Sequence, residues 1–333
     1  MTYEYHKYVC TNLQEISSSL ANYGVAIVPN VLTAQECDEM KNNMWNYLEH
    51  VTQAFQTPMN RSDPSTWKEF KKLWPLHSML LQYFSIGQSE FQWNLRQKPQ
   101  ILAIFAAIWN TTPENLLVSF DGASFHFPPE VTQTGYLKKT WYHSDQCFLR
   151  NNFECVQSWV TANDVHPGDA TLSFLEGSNK FHLAFRQWKA SQDPNSENLF
   201  KKAGDWYKLE TPEELNFYTQ NNCAAKYIAC PAGSLVLWDS RNIHCGTEAI
   251  QGRSNPNIRC VAYLCYTPRS AATPASIAKR INAFQELRTT THYPHKPILF
   301  GKTPRTYGQK MENITQILPP TNITSMGLKL IGY

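Results

Sequence analysis

The stretch Trp141-Tyr142-His143-Ser144-Asp145-Gln146 sets a histidine and an aspartate two residues apart. In an extended strand such positions point to one face, so His143 and Asp145 can reach one metal ion from a strand end. A third ligand is offered by His244, which follows the apolar run GSLVLWD and precedes Gly246. Two histidines and a carboxylate leave open coordination positions, which on Fe(II) accept a bidentate co-substrate and O2. The same donors can hold a catalytic zinc. An anion anchor favours the first reading. Arg259 opens the run IRCVAYLCY, and a planar guanidinium suits the distal carboxylate of a dicarboxylic co-substrate. Alternation puts Val261 and Tyr263 on the same face as Arg259. On spacing alone, an iron site, another metal site and plain polar residues flanking strands all stay open.

These residues need a β scaffold. After Pro113 the chain carries NLLVSFDG, GYLKKTWYH, ECVQSWVTAND, ATLSFLEG, KYIACP, GSLVLWD and IRCVAYLCY, punctuated by Pro, Gly, Asp and Asn. Many short strands with uneven loops fit a sandwich or jelly roll better than a βαβ fold. The first 112 residues read as mostly helical. Asn12 caps a helix ending before Gly24, VAIV at 25–28 is a strand, and Thr33 with Glu36 has capping-box spacing. PQILAIFAAIWN, 99–110, reads as a buried helix with Pro99 in its first turn. The polar segment 53–72, with Pro58 and Pro64, reads as a loop or lid, and TPEELNFY at 211–218 as a helix. The expected organisation is a single domain over 1–270, helical over 1–112 with a jelly-roll core over 113–270. A helix from Pro274 and an extended tail, 271–333, pack on it.

Composition narrows the function classes. The 333 residues are 42% apolar and 17% charged with net charge +3, a folded composition with no basic block for a general nucleic-acid grip. Nine scattered cysteines without a CxxC pair, and no apolar leader, suit a cytoplasmic or other intracellular setting. The longest apolar run is too short to span a bilayer. A small-molecule substrate is expected. Its identity and the oligomeric state have no signature in the sequence.

The segments HSD at 143–145, VQSWVTANDVHPGDATLSFLEGSNKFH at 156–182 and His244 with RCVAYLCY resemble the phytanoyl-CoA dioxygenase-like (PhyH) family of Fe(II)/2-oxoglutarate oxygenases. Gln157, Trp159, Asp164, Gly168, Leu172, Gly177, Ser178 and Lys180 follow that family's order. The resemblance covers roughly residues 12–268, with motif-level detail from 143 onward. It implies a mainly β fold with flanking α-helices, a double-stranded β-helix or distorted, cupin-like jelly roll. It also implies Fe(II) on His143, Asp145 and His244, with Arg259 pairing the far carboxylate of 2-oxoglutarate. The implied reaction consumes O2, releases succinate and CO2, and hydroxylates a C–H bond. The sequence departs from the family where PGSHK becomes EGSNK, with Glu176 and Asn179. The interval from His244 to Arg259 is long, which makes Arg253 a competing anchor.

Softer candidates surround this core. Gln157, Lys139 and Thr247 are candidate co-substrate contacts, each weighed against a structural amide, an exposed lysine and a loop hydroxyl. Trp141, His126, Phe127 and Asp121 are candidate pocket residues, Asp121 equally readable as a turn residue. Segments 53–72 and 186–222 are expected to frame the entrance. Rival readings are a metal-dependent hydrolase or a non-catalytic binding protein on a cupin-like fold, and an oxygenase acting on nucleic acid or protein.

Overall fold

The computed structural model describes residues 1–333. Its strands are β1 (Tyr3–Glu4), β2 (Val25–Val28), β3 (Leu80–Leu81), β4 (Leu116–Val118), β5 (Ala123–His126), β6 (His143–Ser144) and β7 (Val156–Thr161). They continue as β8 (Thr171–Leu175), β9 (Tyr207–Lys208), β10 (Ala225–Ile228), β11 (Leu235–Asp239), β12 (His244–Thr247) and β13 (Arg259–Pro268). One sheet runs β1-β10-β8-β12-β6-β9. The other runs β2-β11-β7-β13-β5-β3, with β4 also on β13. All pairings are antiparallel except β1 with β10. The two facing sheets with flanking helices form the expected jelly roll.

Strict alternation builds the layers. In β11, Leu235 and Leu237 join the large core beneath the helices, whereas Val236 and Trp238 face the other sheet. In β13, Cys260, Ala262 and Leu264 face the helices; Val261 and Tyr263 pack inward, as the two-residue period dictates. The helices on that outer side include α1 (Leu13–Tyr23), α2 (Ala34–Thr52), α3 (Glu90–Arg96) and α4 (Pro99–Ile108). Asn12 caps α1, which stops at left-handed Gly24, and Thr33 with Glu36 forms the capping box of α2. After the short α5 (Pro129–Thr132), helices α6 (His182–Gln192), α7 (Ser196–Ala203) and α8 (Pro212–Gln220) cover the outer face of the first sheet.

Several expectations need correction. Of GYLKKTWYH only His143 enters a strand, because Lys138, Lys139 and Thr140 are exposed and bury nothing. Segment 53–72 is not all loop: Pro64–Leu73 is a 3₁₀ segment burying Thr66, Glu69, Phe70 and Leu73. Pro64 there opens the turn rather than breaking it. Helix α4 is one-sided, with Ala103 and Ala107 exposed. His244 does not merely follow a strand; it opens β12.

The tail runs through α9 (Pro274–Gln285) to α10 (Ser325–Ile331) and returns Leu330 and Ile331 to the main core. Buried Arg280 fastens it. The guanidinium donates to the carbonyls of Ile331 (3.0 Å), Leu330 (2.8 Å), Pro294 (2.9 Å) and Val118 (2.6 Å). No helix is long and apolar enough to cross a membrane.

Candidate metal centre

Strands β6 and β12 are antiparallel neighbours in which His143 lies directly opposite His244. Cross-strand partners bring side chains close, and the ring centroids are 4.4 Å apart. Asp145, just past β6, approaches both. Its Oδ1 is 3.5 Å from His143 Nε2 and its Oδ2 is 3.3 Å from His244 Nε2. One donor atom from each of the three lies within 4.8 Å of the others, and all three residues are buried.

Backbone and side-chain contacts orient each donor. His143 Nδ1 donates to the Trp141 carbonyl at 3.2 Å and His244 Nδ1 to the Asn242 carbonyl at 2.8 Å. Both rings therefore keep Nε2 as the lone-pair nitrogen on the Asp145 side. The Trp238 indole N–H donates to His244 Nε2 at 3.1 Å, a bond that a metal taking that lone pair displaces. Gln157 Nε2 donates to Asp145 Oδ2 at 2.9 Å, and the Tyr293 hydroxyl donates to the Asp145 carbonyl at 3.1 Å.

Charge favours metal binding. Burial pushes the His143 imidazole down, towards the neutral form that ligates. Burial alone would push the Asp145 carboxyl up. The His143 and His292 rings beside it, with the close approach of both triad histidines, outweigh that and hold it well below the usual carboxylate range. A carboxylate flanked by two imidazole nitrogens is the donor set of a 2-His-1-carboxylate iron site, so the residues fit Fe(II).

The triad opens into a cavity of about 470 Å³ between the sheets, within the range of roughly 300–1,000 Å³ for small-molecule sites. Arg259 lines the same cavity. Its Nε donates to Ser124 Oγ (2.9 Å) and one terminal nitrogen to the Ala170 carbonyl (3.1 Å), while the guanidinium lies 5.2 Å over Trp159. No carboxylate of the chain pairs with it. Arg253 does not line the cavity and is held by Glu130 (2.8 Å) and Asp169 (2.5 Å). The guanidinium presented to the cavity is thus that of Arg259.

The other candidates divide. Gln157, Tyr263, Trp141 and Asp121 line the cavity. The Gln157 amide nitrogen is turned to Asp145. Trp141 stacks between His77 (3.9 Å) and His143 (4.7 Å). Four candidates lie elsewhere. Thr247 does not line the cavity, its hydroxyl donating to the Thr171 carbonyl at 3.2 Å. Gly246 takes that place, since neighbours in β12 face opposite ways. Lys139 is exposed. His126 is buried with Nε2 on the Gly135 carbonyl at 2.9 Å, and Phe127 packs among Trp45, Trp67 and Phe70.

The entrance also differs from expectation. Segment 186–222 supplies Ala203, Asp205 and Trp206, but 53–72 supplies no lining residue. Its place is taken by Leu76, His77, Leu80 and Gln82, and by the tail residues His292, Tyr293, Ile298 and Phe300. Nothing in the local sequence marked these tail positions. Their relation to the site comes from the tail's path, set by such distant contacts as those of Arg280.

A jelly roll that gathers two histidines, a carboxylate and an arginine around one cavity defines a class, the cupin-like non-haem iron oxygenases. The chain belongs to the phytanoyl-CoA dioxygenase (PhyH) family, whose match spans residues 20–252 and so includes the triad, with Arg259 just beyond its end. The family's cofactors are Fe(II), 2-oxoglutarate and O2, and the chain is an enzyme of this superfamily. The "Ava biosynthesis cluster protein O" of Aspergillus versicolor is 25% identical over 276 residues, covering 82% of this chain and 83% of the relative. Among solved structures, the hypothetical protein JW0805 from Escherichia coli aligns with a TM-score of 0.58 at 13% identity, over 97% of this chain and 82% of that one. The GlcNAc Inducible Gene 2 protein of Candida albicans aligns at 0.52 and 14% identity, over 96% and 80%. At these identities the two structures speak to the fold.

Proposed function

We propose that the protein hydroxylates a small organic molecule, using Fe(II), 2-oxoglutarate and O2 and releasing succinate and CO2. The observation that carries this reading is the convergence of His143, Asp145 and His244 in one cavity with Arg259, whose guanidinium has no carboxylate partner in the chain. Bound iron supplies the activation of O2 that couples 2-oxoglutarate decarboxylation to oxidation of a C–H bond.

The protein's part is holding and orienting. His143, Asp145 and His244 hold the ion, with Gln157 and Tyr293 fixing the aspartate. Arg259 binds the distal carboxylate of the co-substrate, its own position set by Ser124, Ala170 and the Trp159 face. Trp159, Trp238 and Tyr263 present low-polarity walls that limit water beside the reacting atoms. Asp145 supports hydroxylation over halogenation, because its carboxylate fills the position a halide would take. The aromatic-lined cavity and the relative's name as a biosynthesis cluster protein support a small-molecule substrate.

The test is turnover of labelled 2-oxoglutarate. The Fe(II)-loaded chain should release CO2 slowly without a primary substrate, faster with a suitable one, and His143→Ala should abolish both. Turnover that persists in that variant, or is absent from the wild-type chain across a broad metabolite panel, would refute the reading.

A further inference from the structure

Three carboxylates line the cavity, and two have evident partners. Asp145 belongs to the triad, and Asp205 is paired with Arg150 and with Lys296 at 3.4 Å. Asp121 is different. One of its oxygens accepts from the Gly122 backbone N–H at 2.7 Å, and no cationic side chain forms an ion pair with it. Arg96 passes nearby and its charge eases that of Asp121, but its terminal nitrogens donate to the backbone carbonyls of Gly87 and Asp121 and not to the carboxylate. Burial accordingly pushes the Asp121 carboxyl up. A second polar group there also lacks a partner: His292, from the tail, lines the cavity with Nε2 buried and unbonded.

The position matters as much as the charge. Asp121 lies five residues before His126, which is opposite Arg259 in the β5–β13 ladder. Along the strand direction that is at most about 17 Å, at ~3.4 Å per residue. Gln157, which meets Asp145, is opposite Cys265, six residues along β13 from Arg259, so a co-substrate reaching from the triad to Arg259 runs away from the Asp121 end. Other walls of the cavity are apolar and aromatic: Trp141, Trp206, Tyr293 and Phe300 with Leu80 and Ile298. Such walls take a ring-bearing molecule, and a carboxylate set among them without a direct ion-pair partner is an unfavourable arrangement that a bound cation relieves.

We infer that Asp121, assisted by His292, forms a subsite for a cationic nitrogen, so that the primary substrate is a ring-containing amine or guanidine held with its charge at the end of the cavity remote from Arg259. This rests on the proposed oxygenase reading for the identity of the reaction, but not for the binding itself. The ammonium or guanidinium donates to the free Asp121 oxygen, and the rings stack among the tryptophans.

The probes are naphthylmethylamine, naphthylmethanol and naphthoate, which share a ring system and differ in charge. Their binding to the full metal-free chain is measured by calorimetry. The amine should bind about tenfold or more tighter than the alcohol, as a charge-assisted hydrogen bond in a buried site provides, while the carboxylate, drawn to Arg259, should show no dependence on Asp121. Asp121→Asn, nearly isosteric, should bring the amine-to-alcohol ratio close to one. The same ratio should persist in His143→Ala, which separates this inference from the iron chemistry: turnover absent from the wild-type chain, or persisting in His143→Ala, with the preference intact would refute only the oxygenase reading. Equal binding of all three probes, no binding of any up to millimolar concentration, or an undiminished preference in a folded Asp121→Asn chain would overturn the subsite. The wild-type comparison needs no substitution, so it decides the matter even if the variant fails to fold.

Discussion

The Gln157 side-chain amide donates to Asp145 Oδ2 at 2.9 Å, joining β7 of one sheet to the carboxylate that follows β6 of the other. The contact fixes the aspartate from behind. Gln157→Ala should therefore weaken Fe(II) affinity by about 10–100-fold, the usual effect of losing a residue that orients a metal ligand. The KM for 2-oxoglutarate, measured at saturating iron, should change far less. If the amide served the co-substrate instead, the KM would carry the larger change.

Arg259 should show the opposite pattern. Removing the guanidinium with Arg259→Met should raise the KM for 2-oxoglutarate by about 10–100-fold, the worth of one or two hydrogen bonds to a charged group. Fe(II) titration should be unaffected, because Arg259 touches Ser124, Ala170 and Trp159 but no triad residue. Arg259→Lys should recover only part of the loss, since an ammonium cannot reproduce the fork.

The tail should matter for both stability and activity. Arg280→Ala leaves carbonyls from four residues without their donor, in a region fully buried from water. A loss of at least about 3 kcal/mol in denaturant unfolding is expected. Limited proteolysis should then release C-terminal fragments sooner than from the wild-type chain. Because the tail carries His292 and Tyr293 into the cavity, turnover should fall along with stability.

How far the site can be read from the sequence depends on how local each determinant is. His143, Asp145, His244 and Arg259 are marked by spacing and by position at strand ends, because a two-residue period fixes which side chains share a face. Alternation likewise places Val261 and Tyr263 on the inner side. Thr247 lies outside the cavity for a related reason. Counting from His244 along a loop gives it reach, but His244 opens a strand, and there an odd offset turns the side chain away. The contributions of His77, Gln82, His292 and Phe300 depend on chain path over long distances, which no local period encodes. The two prolines of 53–72 suggested a loop, while the buried positions of the 3₁₀ segment follow from packing against the Phe127 cluster.

Acid should destabilise the fold through buried histidines. Burial pushes His126 and His182 down to about 4 each, from roughly 6.5 in an unfolded chain. Below pH 6.5 the unfolded chain binds protons that these folded rings refuse. Stability is thus full above that pH, falls as the pH drops towards 4, and levels off below for these groups. The loss is at most roughly 3 kcal/mol per ring. His126→Asn should reduce the proton uptake on unfolding by about one across this window, measured from unfolding free energies at a series of pH values. An unchanged slope would show that His126 is protonated in the fold.

The central claim is that one iron ion is held by His143, Asp145 and His244 with positions left for a 2-oxoacid. Anaerobic titration of the chain with Fe(II), followed by 2-oxoglutarate, tests it most directly through the visible charge-transfer band of a chelated iron–oxoacid complex. One equivalent of iron should saturate the chain, 2-oxoglutarate should bring up the band, and Asp145→Ala should lose both. A band that never develops, or one that is identical in the Asp145→Ala chain, would contradict the assignment of the ion to these three residues.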